Sequence, residues 1–132
     1  MTQLEALHTV AETGGRLRGA TAYHFEGDPR LTPHVVLDFE ATKLFLSAAE
    51  EDDSILLAME APSMADCVPR AAPAWAPAVG RAVLWGWILT NHRGYVDGVR
   101  LDFRNTVSDS QLIIEVLVAA SMLHTAVVGD AV

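Results

Sequence analysis

A chain of 132 residues, 51% hydrophobic and 20% charged, is long enough to bury a substantial core and too apolar to remain disordered. Seventeen acidic against nine basic side chains leave a formal charge of −8, which repels phosphate backbones and argues against direct nucleic-acid binding. The lone Cys67 rules out an internal disulfide framework and fits a reducing cytoplasm, and no apolar run is long enough to suggest a membrane span.

The opening stretch lacks the basic-then-apolar pattern of a secretory signal. Instead, Thr2 and Glu5 have capping-box spacing, and Leu4, Leu7, His8 and Ala11 recur at helical intervals before Gly14-Gly15. This predicts a short amphipathic N-terminal helix. Arg16 to Glu26 reads as a strand closed by Gly27-Asp28-Pro29. His34 to Glu40 alternates, with Val35, Leu37 and Phe39 on one face, as a half-buried strand does. Lys43 to Ala49 and Ser54 to Glu60 read as a hairpin with Glu50-Glu51-Asp52-Asp53 at its tip. Residues 61–78 carry Pro62, Pro69, Pro73 and Pro77, a spacing that predicts a loop or meandering connection draped over the sheet.

Val79 to Thr90 and Tyr95 to Arg104 form a second hairpin through Asn91-His92-Arg93-Gly94, with Gly94 where the turn needs a left-handed residue. In its second arm Val99, Leu101 and Phe103 face one way, and Arg100, Asp102 and Arg104 the other. Gln111 to Ala120 and an apolar segment through Val128 are read as strands from their β-branched density, with a helix over 110–128 as the alternative. The whole predicts a single domain of α+β class, mainly β. Its antiparallel curved or barrel-like sheet has about seven strands, with the N-terminal helix packed on it.

Trp85 and Trp87 share a strand face with Val83 and Leu89, either as a core pair or as an aromatic recognition surface. Gly86 between them leaves the opposite face bare for a close approach by the helix or another backbone. Asn91, His92, Tyr95 and Asp97 gather polar groups at the hairpin end. A His92–Asp97 pair has the residue types of a general base, yet no nucleophile or oxyanion donor lies nearby in sequence, and turn chemistry explains the same types. No histidine stands at metal-ligand spacing, the acidic run lacks the alternation and glycine of an EF-hand, and glycine-rich phosphate loops, the GxSxG elbow and CxxC are absent. No metal, cofactor or catalytic residue is therefore expected. Cys67, without a His beside it, reads as an inert thiol.

The run Trp85-Gly86-Trp87-Ile88-Leu89-Thr90-Asn91, then Gly94-Tyr95-Val96-Asp97-Gly98, then Ala119-Ala120-Ser121, resembles a family of small bacterial proteins of unknown function. The likeness spans about the C-terminal third and implies a bacterial, β-rich, single-domain protein, without assigning any site. In size and acidity the chain is also similar to immunity proteins that neutralise basic bacterial toxins. The expected function is a non-enzymatic protein-binding module, an immunity or accessory factor for a basic partner. Its contacts are expected at Trp85, Trp87, His92, Tyr95, Asp97 and the Glu50, Glu51, Asp52, Asp53 tip. A small-ligand binder or enzyme with a cavity in the curved sheet, and a homodimer pairing exposed sheet edges, are the alternatives.

Overall fold

The computed structural model describes residues 2–105 and 107–131. It opens with helix α1 (Gln3–Thr13), started by the expected capping box. The Glu5 N–H donates to Thr2 Oγ1 at 3.1 Å, and the Thr2 N–H donates to Glu5 Oε2 at 3.0 Å. Such a cap stabilises a helix end by about 1 kcal/mol.

Strands β1 (Leu17–Phe25), β2 (His34–Phe39), β3 (Lys43–Ala48), β4 (Ile55–Ala58) and β5 (Cys67–Ala71) make one antiparallel sheet in the order β4-β3-β2-β1-β5. Strands β6 (Ala82–Thr90), β7 (Val96–Arg104), β8 (Gln111–Ala119) and β9 (Met122–Ala131) make a second in chain order. The β-rich, antiparallel fold with a helix packed on it is the one the sequence predicts. Among the described residues the strands number nine rather than about seven, and they divide into two sheets that do not close into a barrel. The sheets touch edgewise through an Arg16–Ala82 bridge, where the Leu17 N–H donates to the Arg81 carbonyl at 2.8 Å.

One departure and one confirmed reading have clear physical causes. Residues 61–78 are not only loop, since they supply β5 and a 3-10 helix at Pro73–Ala78. Pro69 is tolerated in β5 because that strand lies on the sheet edge. Residues 110–128 are strand rather than helix, because the alternation of β8 buries Leu112, Ile114, Val116 and Val118 in turn. A two-residue turn, Ala120-Ser121, joins β8 to β9 with φ of 52° and 61°. Positive φ at both central positions matches the strand twist of a tight hairpin, even though neither residue is glycine.

One apolar core lies between the two sheets and the helix. From the first sheet come Val35, Leu37, Phe39, Leu44 and Leu46; from the second Val99, Leu101, Phe103 and Ile114. Phe39 and Phe103 stack across the layer at 6.5 Å, and Trp75 of the 3-10 helix meets Phe103 edge-on at 6.1 Å. Each such pair adds about 0.5–1.5 kcal/mol beyond its area burial. The helix buries Ala6, Leu7 and Val10, whereas Leu4, which the periodicity placed on the core face, stays exposed. The apolar arc of α1 is thus wider than the surface covering it.

Candidate functional site

Strand β6 forms one edge of the second sheet, and a one-residue bulge between Val83 and Trp85 decides what it shows to solvent. Val83 pairs with Phe103 and is buried, but beyond the bulge Trp85 pairs with Asp102 and Trp87 with Arg100, on the outer face. A bulge shifts the period-2 pattern by one residue, so Val83 and Trp85 do not share a face as strict alternation predicts. The tryptophans are accordingly no core pair: Trp85 is 59% and Trp87 42% exposed, with Leu84 at 46% in the bulge itself.

Gly86, between the tryptophans, faces inward. A Cβ there would lie 3.1 Å from Leu7 Cδ1, so the bare backbone admits the helix closely, as expected. Helix and strand leave an open groove of about 740 Å³ beside this contact. Leu4, Leu7, His8 and Ala11 wall it on the helix side and Leu84, Trp85 and Gly86 on the strand side. Its charged lining residues are Glu5 and Glu12, and no Lys or Arg lines it. Leu4 is 67% exposed there. Neither the groove nor the part of Leu4 and Leu84 in it was legible beforehand; the surplus apolar arc of α1 was the available signal.

The outer face beside the tryptophans is polar and internally satisfied. Arg100 donates to Glu115 at 2.6 Å. Buried Asp102 accepts from Arg104 Nε at 3.0 Å, from Arg104 Nη2 at 3.2 Å and from Gln111 at 2.9 Å. The bonding to Asp102 raises the Arg104 pKa above its ordinary value.

At the hairpin end, Asn91 organises the turn. Its Oδ1 accepts from the N–H groups of Arg93 and Tyr95, and its Nδ2 donates to Asp97 Oδ2 at 3.1 Å. Asp97 is therefore engaged by Asn91 rather than by His92, which is exposed along with Tyr95. Gly94 has φ of 87°, the left-handed residue the turn requires. In the acidic tip, Glu50 and Glu51 are exposed, while Asp52 and Asp53 are structural. Asp52 accepts from the Ser54 N–H at 3.0 Å, and bonding to Ser54 holds its carboxyl below the usual range. Asp53 Oδ1 accepts from the Ser121 N–H at 2.8 Å and from Ser121 Oγ at 3.2 Å. The β6–β7 and β8–β9 turns leave the same end of the sheet, so the acidic tip and the His92 turn share that end, about 10 Å apart by strand spacing.

A smaller depression of about 350 Å³ lies against the first sheet, with His34, Glu50, Glu51 and Cys67 among its lining residues. His34 Nδ1 and Ser47 Oγ share a 2.7 Å hydrogen bond across β2 and β3. Ser47 is buried and does not line the depression, so the pair holds two strands together and presents no nucleophile. Burial lowers the His34 pKa, and burial followed by the Asp66 charge raises that of the Cys67 thiol. Among the described residues no three His, Cys, Asp or Glu side chains converge to hold a metal ion, and no helix is long and apolar enough to cross a membrane.

The structure thus brings Trp85 and Trp87 together on an exposed edge and sets His92, Tyr95 and the acidic tip at one end of the same sheet. No curated protein and no solved structure matches the chain. A family model described as a family of unknown function (DUF6334) matches residues 1–131, far beyond the C-terminal third that carries the motif likeness, and the chain belongs to that family.

Proposed function

We propose that the chain is a non-enzymatic protein-binding module that meets its partner through β6. The observation that supports this most directly is the exposure of Leu84, Trp85 and Trp87 on one edge strand, with Leu4 across the groove from Leu84 and Trp85. Large apolar side chains clustered on a surface mark interaction sites when they are contiguous, and tryptophan is the residue most enriched among binding hot spots. The polar candidates offer no competing chemistry: Asp97 is held by Asn91, and the Ser47 hydroxyl is shut inside the sheet.

The test is affinity purification of the tagged protein from its host cells, in parallel with a Trp85→Ala/Trp87→Ala variant shown to be folded. One stoichiometric partner retained by the wild type and lost by the variant is the expected result. A partner retained equally by both, or none with either, overturns the reading.

A further inference from the structure

The four sheet edges are not alike. Strand β5 carries Pro69 and Arg70; β4 is only four residues long; β9 is bulged, and its Leu123 N–H donates to the Thr32 carbonyl. Short strands, prolines, charges, bulges and covering segments are the devices that stop an edge from pairing with another chain. Strand β6 is bulged near both ends, Arg16 bridges its first residue and α1 packs on its inner face at Gly86, but from Trp85 to Leu89, between the bulges, it runs in regular register without a charge or a proline. Beside it lies a groove walled by the uncovered half of the helix's apolar arc, and the charges lining that groove are carboxylates.

We propose that this groove receives an extended, basic, amphipathic segment of a protein partner, which pairs as an added strand with the edge of β6 between its two bulges. Its apolar side chains pack on Leu84, Trp85 and Leu4, and its Lys or Arg side chains reach Glu5 and Glu12. Charge selects this occupant over a second copy of the chain, which would bring another −8 and the same two carboxylates to the contact. The proposal rests on the contact reading above and gives the partner its chemistry.

The probe is a short synthetic peptide of alternating lysine and valine, set against a glutamate–valine peptide and a lysine–valine peptide N-methylated on alternate residues. N-methylation keeps charge and side chains while removing the backbone donors of one edge. Binding to the intact protein is read from backbone amide shifts. The lysine peptide is expected to shift the amides of Trp85 to Leu89, and the other two to bind at least roughly tenfold more weakly. Glu5→Gln/Glu12→Gln, which preserves the capping-box pattern, should weaken the lysine peptide roughly three- to tenfold. Failure of the lysine peptide to bind, equal binding of the glutamate peptide, or indifference to N-methylation overturns the proposal. So does a stable dimer seated on β6 in light scattering. Loss of the natural partner in the tryptophan variant is scored separately, so contact through the Trp85 face survives any failure of the basic-strand inference.

Discussion

Trp75 and the Trp85/Trp87 pair occupy opposite kinds of place, and each sits where its neighbours in sequence least suggest. Trp75 lies among prolines and alanines in a segment that reads as loop, yet it is almost fully buried against Phe103. Trp85 and Trp87 lie in a long, mainly apolar strand without a charge, yet about half of each ring system meets solvent. Local apolar density therefore does not identify the core tryptophan here. A one-residue bulge on one side, and on the other a 3-10 turn that tucks Trp75 under the sheets, decide the matter.

This contrast is broken or upheld most sharply by truncating each tryptophan. Trp75→Ala should cost about 3–5 kcal/mol, as large-to-small changes of a buried aromatic do, measured by denaturant unfolding. Trp85→Ala and Trp87→Ala should each change stability by less than about 1 kcal/mol while abolishing partner binding. Equal destabilisation by all three would show that the outer pair belongs to the core after all. Gly86→Val comes next in size. Its new methyls would push on Leu7 from the floor of the groove, so a loss of about 1–3 kcal/mol and altered amide shifts along α1 are expected.

Much of the frame was legible because it rests on local rules. The capping box at Thr2 and Glu5, the left-handed Gly94, the bare Gly86 and the alternation of Val99, Leu101 and Phe103 all stand as the sequence predicts. What escaped depends on long-range geometry. The bulge at Leu84 carries no distinctive residue type, so the face of Trp85 could not be assigned by counting in twos. The split into two sheets follows from where residues 72–81 turn the chain away from β5, which no local pattern encodes. The acidic tip was found as a hairpin end, but the grip of Asp53 on Ser121, 68 residues later, lies outside any sequence window.

That grip gives a third test, of the structural half of the acidic tip. Asp53→Ala frees Ser121 N–H and Oγ in a turn whose two residues already sit at positive φ, and should cost about 1–2 kcal/mol. Glu50→Gln and Glu51→Gln, in the exposed half, should leave stability within about 0.5 kcal/mol. If Asp53→Ala is as silent as the two glutamate changes, the tip does not fasten the sheets together.

The smallest effect is read against pH. His34 is half-buried and bonded to Ser47, and burial lowers its pKa in the folded state, so the native protein favours the neutral ring. The unfolded chain, with an ordinary pKa of about 6.5, then binds more protons as the solution acidifies. His34 should thus contribute stability that is fully present above about pH 6.5 and lost as pH falls through the lower folded-state value. His34→Asn, whose amide can replace Nδ1 as the partner of Ser47, should flatten that slope below about pH 6.5, as read by urea midpoints. An unchanged slope in His34→Asn would show that this half-buried ring of the first sheet takes no part in the loss of stability on acidification.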